Sequence, residues 1–354
     1  MKTKKSIAFY VFLTILFCTV YIFTATVPLG TEYQFEPVWK TDVAVQKVMP
    51  AAPGDRPLYF VLGQTMGYFT RDGRITSFTT FPFKASISQS YFTQYTADST
   101  SEVFYHSDGT EAGTITSSGF PYFDDDRIYV FLPGGSSFVM CAGDGSVKWE
   151  YDGTVPITAF DSCRSGCVAG FADGTIRSFS GEDGSVLQSF APGGSDYSVI
   201  LGAAISSDGS MIAAVCGQDR QRFILAKKDG SQTKIVFHEF IAGHDPHQRL
   251  VQFSSDDSTV WYSCAAGLGV ADTSSGRHAV IKMNGQAFSL QEAGNLAYVL
   301  CRDKTRYTVY AVEKFDTLCA SFSFTAHTAF IRTDGSDLFV GKDASISRMT
   351  VEKK

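Results

Sequence analysis

Charged residues are scarce in this 354-residue chain, 19% of the total, and the 30 basic ones are outnumbered by 36 acidic ones. The shortage of positive charge deepens beyond the N-terminus. Residues 1–27 hold three basic residues and no acidic ones, which leaves 27 against 36 in the remainder, a net of −9. A body of that sign argues against nucleic acid as a partner, because phosphate binding needs a basic face. It argues equally against electrostatic docking on anionic lipid, and solubility is the plainer use of the excess. The Ala/Glu/Lys/Leu periodicity of long helices is also missing, and no charged linker or Pro/Ser-rich stretch divides the chain after residue 27.

Present instead are 32 glycines, 30 phenylalanines and 16 tyrosines within a 44% hydrophobic composition, which is enough for a core and favours β-structure. The N-terminus differs from the rest. Lys2, Lys4 and Lys5 precede the uncharged run 7–27, which includes Phe9, Val11, Phe12, Leu13, Ile15, Leu16 and Phe17. A helix of about 20 apolar residues spans a bilayer core, and flanking lysines stay cytoplasmic. The expectation is a membrane-anchoring transmembrane helix in a segment 1–27, with residues 28–354 forming one domain on the extracytoplasmic, periplasmic side. A cleaved signal peptide and a lipidated Cys18 are the alternatives. Thr24-Ala25-Thr26 makes a poor cleavage site, and Leu16 and Phe17 are bulky where a lipoprotein signal has small residues.

One turn repeats through the remainder. Asp-Gly pairs stand at Asp72-Gly73, Asp108-Gly109, Asp144-Gly145, Asp183-Gly184 and Asp229-Gly230, with Ser275-Gly276 in register after them. Each lies between two short runs of alternating apolar and polar residues, and Asp-Gly suits tight hairpins because Gly accepts φ > 0 freely. Spacings of about 40 residues match four-stranded propeller blades. With these pairs as third-to-fourth strand turns, a fourth blade reads 156–161, 166–170, 175–180 and 185–190. A fifth reads 199–205, 210–216, 222–228 and 232–238, the sixth lies near 248–282 and the seventh near 288–324. The last blade offers only 327–332, 337–340 and 345–350. Its outer strand is expected from residues 37–43, whose Trp39 and Asp42 match Trp149 and Asp152 of the third blade. The fold class is therefore all-β, a β-propeller of about eight four-stranded blades closed by an N-terminal strand.

The stretch PVWKTDV, the following PAAPGDRPLYFVLGQTMGYFTRDGRITSF and the later VMCAGDGSVKWEYDG resemble the PQQ-like (quinoprotein dehydrogenase-like) propeller repeat, with an outer Trp strand and a Gly turn into the next outer strand. WD40-type repeats are a close second through Ser206-Ser207-Asp208-Gly209 and Ser254-Ser255-Asp256-Asp257. The first resemblance brings quinone-dependent dehydrogenases to mind. Those are longer and carry an adjacent Cys-Cys pair and acidic calcium ligands. No Cys-Cys occurs here, and the outer-strand Trp survives in only two blades.

Candidate chemistry is sparse. The innermost strands offer Gln46, Gln89, Gln252 and Gln291 but no paired carboxylates for acid–base work. The segment HEFIAGHDPH, with His238, Glu239, His244, Asp245 and His247, holds the residue types of a zinc site, but its spacing fits no zinc pattern and Gly243 and Pro246 suit an ordinary loop. Cys216, Cys264 and Cys301 recur at one strand position and read as small buried hydrophobes. Cys163 and Cys167 either close a disulfide across a turn or remain free. No catalytic, cofactor-binding or metal residue is assigned, and no enzyme activity is expected. The expected role is a non-catalytic protein-binding scaffold in cell-envelope assembly, partnered by another envelope or membrane protein. An enzyme or a ligand- or metal-binding propeller with its site at the channel mouth is the alternative.

Overall fold

The computed structural model describes residues 2–25, 33–45, 47–52, 54–96, 98–192, 198–230, 232–243 and 245–353. One helix, Lys2–Ala25, precedes eight antiparallel sheets. The first holds Leu58–Leu62, Thr65–Phe69 and Ile75–Thr80. The next six follow in chain order with four strands each, over residues 84–115, 120–151, 157–190, 200–241, 251–282 and 286–325. The eighth combines Ala329–Asp334, Asp337–Lys342 and Ser345–Lys353 with Tyr33–Asp42 from the N-terminus. An eight-bladed all-β propeller is therefore the architecture, and strand boundaries in the fourth to eighth blades fall within a few residues of the expected ones.

Closure follows the expected route. Tyr33–Asp42 pairs antiparallel with Ser345–Lys353, from Tyr33 opposite Lys353 to Asp42 opposite Ser345. Trp39, half-buried, lies over the outer turn of the first blade: its Nε1 donates to the Arg71 carbonyl at 3.2 Å, and a Cβ on Gly73 would stand 3.1 Å from its ring. Trp149 does the same one blade apart in sequence. Its Nε1 points to the Gly181 carbonyl at 3.5 Å, and a Cβ on Gly184 would meet its ring at 2.7 Å. Gly73 (φ +89°) and Gly184 (φ +72°) serve twice, as left-handed turn residues and as flat seats for indole.

The core lies between blades. Seven clusters of buried side chains each join two neighbours, for example Ile200, Ala214 and Ile224 of the fifth blade with Val168 and Ile176 of the fourth. Others join the second to the third, the third to the fourth, and so on round to the eighth and the first.

Two expectations need correction. The first blade has three strands among the described residues, not four. Its Thr65–Phe69 and Ile75–Thr80 pair carries a bulge beside an Asp-Gly turn, as the outer hairpins of the second and third blades do. The absent strand is thus the innermost one. The other correction concerns the membrane. Among the described residues no helix is long and apolar enough to cross a membrane. The Thr14 and Thr19 hydroxyls donate to the Tyr10 and Ile15 carbonyls one turn back, at 2.9 and 2.8 Å. The expectation of a spanning helix over residues 7–27 has no support from the structure.

Candidate functional site

Because every blade runs inner to outer in the same sense, its connections fall on two faces. First-to-second and third-to-fourth turns form one face, called here the turn face. Second-to-third turns and the links between blades form the other, the loop face.

The turn face is acidic, and several of its carboxylates are engaged within the fold. Asp108, Asp144, Asp183 and Asp208 each accept the backbone N–H two residues on, at 2.9, 3.0, 3.1 and 2.9 Å. The Ser or Thr hydroxyl at that position also donates to Asp108, Asp144 and Asp183. These bonds hold the carboxyls below the usual carboxylate range, with the hydroxyl donor the leading cause at Asp108, Asp144 and Asp183. The signal was present in the sequence as Asp-Gly-Ser/Thr, one residue longer than the Asp-Gly pair.

A second set of acids latches blades together. Ser162 Oγ donates to Asp124 Oδ2 at 2.5 Å, and Arg127 Nη2 reaches the same oxygen at 2.8 Å, joining the third and fourth blades. Asp161 accepts Ile205 N–H at 2.9 Å from the fifth blade. Burial pushes the Asp161 carboxyl up to about 7. Asp257 takes the Ser207 hydroxyl and N–H. Glu292 takes Trp261 Nε1 at 3.1 Å and Ser255 N–H at 2.9 Å. Asp337, 1% exposed, pairs with Arg71 of the first blade at 2.5 Å and with Arg348 at 2.9 Å. Each latch joins residues from different turns, so no local motif announced it.

The glutamines named from sequence do not line up as a site. Gln89 lies in a turn and donates to the Pro57 carbonyl, Gln291 Nε2 donates to the Leu290 carbonyl at 2.9 Å, and Gln252 pairs opposite Trp261. Gln46 lies outside the described residues. The metal-like segment is dispersed. His238 and Glu239 are successive residues of Gln232–Ile241 and so point to opposite faces of the sheet. Glu239 accepts the Tyr262 hydroxyl at 2.6 Å. Asp245 is held by His247 Nδ1 at 2.5 Å and by the buried Arg249 at 2.7 Å. His244 lies outside the described residues. Among the described residues no group of three or more His, Cys, Asp or Glu side chains is arranged to hold a metal.

Cys163 and Cys167 are free. Cys163 stands opposite Gly166 and Cys167 opposite Ser162, so the two thiols leave opposite faces of the blade. Cys163 packs toward the fifth blade and Cys167 toward the third. Cys216, Cys264 and Cys301 are buried as expected, and burial pushes the Cys301 thiol up to about 12.

The open space lies elsewhere. A recess of about 680 Å³ opens on the loop face between the seventh, eighth and first blades, with Arg302, Lys304, His327, Phe288, Tyr307 and Val61 in its wall. Another of about 600 Å³ on the turn face is lined by Asp125, Asp126, Arg127, Lys148 and Arg164, whose charges offset one another.

A closed ring of small sheets with turn-built faces defines a propeller, and the chain belongs to that family: a family model described as beta-propeller protein matches residues 1–354. An uncharacterized protein of Treponema pallidum (strain Nichols) is 30% identical over 362 residues, covering 99% of this chain and 96% of the relative. Among solved structures, BamB from Moraxella catarrhalis is similar with a TM-score of 0.62 at 12% identity, covering 90% of this chain and all of that one. The computationally designed Ika8 protein reaches 0.60 at 13% identity over 87% of this chain and 99% of its own. At such identities the likeness is one of fold.

Proposed function

We propose that this propeller is a protein-binding scaffold of the cell envelope, working without catalysis of its own. The observation that carries the reading is the employment of its acids: carboxylates such as Asp124, Asp161 and Glu292 on the turn face are latches between blades, and Asp144 and its counterparts in other outer turns hold their own backbones. A rigid ring with two broad faces suits macromolecular docking. The indole-over-glycine contacts of Trp39 and Trp149 support reading the repeat as PQQ-like.

Location outside the cytoplasm, beside a membrane, rests on the lysines ahead of the uncharged run 7–27. Protease added to spheroplasts should then digest the propeller without lysis, and protection until lysis overturns that placement. The scaffold reading is tested by photo-crosslinking the full chain in native membranes from exposed positions on each face. A discrete adduct with one envelope protein is the expected result. Absence of any protein adduct from both faces overturns it.

A further inference from the structure

The loop-face recess has the chemistry of a specific binding site, and it opens beside the first blade, which has three strands among the described residues. Its floor and walls come from three blades: Val61 from the first, Phe288, Arg302, Lys304 and Tyr307 from the seventh, and His327 from the link into the eighth. Arg302 sits 5.7 Å over the Tyr307 ring and donates through Nε to the Lys304 carbonyl at 2.8 Å. Phe288 packs edge-on against Tyr307, whose hydroxyl donates to the His327 carbonyl at 3.2 Å. The basic groups are thus set on a braced aromatic wall.

In a chain with net negative charge, these cations stand uncompensated. Among the described residues neither Arg302 nor Lys304 has a carboxylate within ion-pair distance. The Asp343 carboxylate beside the recess is occupied by the backbone N–H groups of His327 and Thr328, at 2.7 and 3.2 Å. Phe288 is 42% exposed and Val61 38%, so apolar surface lies open beside the free charges. Leu58–Leu62, whose Val61 lines the recess, pairs on one side only among the described residues. Cations select an acidic ligand, the aromatic wall asks for an apolar group beside the acid, and a one-sided strand offers backbone hydrogen bonds. Only a peptide supplies all three.

We propose that this recess binds an extended acidic segment of a partner protein, its carboxylates held by Arg302 and Lys304 and an apolar side chain seated on Phe288, Tyr307 and Val61. The proposal rests on the scaffold reading and names the partner's chemistry and the face it uses.

The test uses the full chain and a fluorescent ten-residue peptide alternating Asp or Glu with Phe or Val, beside a Lys-for-acid version, inorganic phosphate and vesicles of phosphatidylglycerol. The acidic peptide should bind with an affinity that falls as salt rises. The R302E/K304E double variant should weaken it about tenfold or more with an unchanged melting temperature, and K228E on the turn face should not. Acidic-peptide binding that ignores R302E/K304E overturns the proposal. So does binding of the Lys version, phosphate or the vesicles in its place. A partner adduct formed only from the turn face in native membranes also overturns it while leaving the scaffold reading intact. Loss of adducts from both faces removes the scaffold reading itself.

Discussion

The two seams that flank the first blade are built differently. On one side it meets the eighth blade, where the two ends of the chain come together. There Phe60, Leu62, Phe69 and Ile75 pack with Phe330, Phe339 and Ile346, Trp39 covers Gly73, and Asp337 binds Arg71. On the other side it meets the second blade through continuous chain, and no buried apolar cluster bridges them among the described residues. That seam is held by the fully buried Tyr68, whose ring meets Phe92 edge-on and whose Oη donates to the Ser88 carbonyl at 2.9 Å, and by Gln94 Nε2, which donates to Thr79 Oγ1 at 3.0 Å. The non-covalent join is the better packed of the two. With three strands among the described residues, the first blade meets its second neighbour through fewer buried apolar groups than it brings to the eighth.

Opening the well-packed seam should have the largest effect. A chain beginning at Asp55 loses Tyr33–Asp42, bares the edge of Ser345–Lys353, and should aggregate with loss of cooperative melting. A monomer with unchanged melting temperature would show that ring closure does not depend on the N-terminal strand. Next come the indoles. Trp149→Ala, at a site 7% exposed, should cost about 3–5 kcal/mol in urea unfolding, and half-buried Trp39→Ala a smaller but clear loss of about 2–3 kcal/mol. Equal costs would mean that the closing seam is packed as tightly as an internal one.

Asp161 sharpens the contrast through pH. Its folded value of about 7 lies above the ordinary carboxylate value near 3.9, so its protonated form favours the folded state. Its contribution is full below about pH 4, declines as pH rises toward 7, and is absent above. The span is at most about 4 kcal/mol. Asp161→Asn should flatten stability between pH 5 and 8, and an unchanged slope would remove Asp161 as its source. The turn carboxylates, shifted down, act in the opposite sense and only in stronger acid. The smallest effect is expected at the thin seam. Tyr68→Phe deletes one hydrogen bond to a buried carbonyl and should cost about 0.5–1.5 kcal/mol. Hydrogen exchange should quicken in Tyr91–Tyr95 before any other second strand, and uniform exchange around the ring would erase the difference between seams.

Most of the ring was readable from residues alone because its cues are local. Asp-Gly turns between alternating runs placed the outer hairpins, and Trp39 matched to Trp149 found the closing strand. The three-stranded first blade was not readable, since Ala51-Ala52-Pro53-Gly54-Asp55 resembles any other interblade loop and nothing nearby announces a missing partner. The spacing of Cys163 and Cys167 left a disulfide open, and only the strand register, which sends them to opposite faces, decides between the two readings. The recess was invisible because Arg302 and Lys304 stand at one turn, His327 lies in the following link, and only the closed ring brings Val61 of the first blade beside them. The interblade latches escaped for the same reason, as Asp257 and Ser207 illustrate.

The pairing of Tyr33 with Lys353 also sets a timetable. A ribosome makes Tyr33–Asp42 about 300 residues before its partner Ser345–Lys353, so the circle cannot shut until that second strand has emerged. Through that interval Tyr33–Asp42 waits unpaired, and the contact that ends its exposure joins strands separated by about 300 residues of chain. Slow closure of this strand should therefore be the rate-limiting folding event.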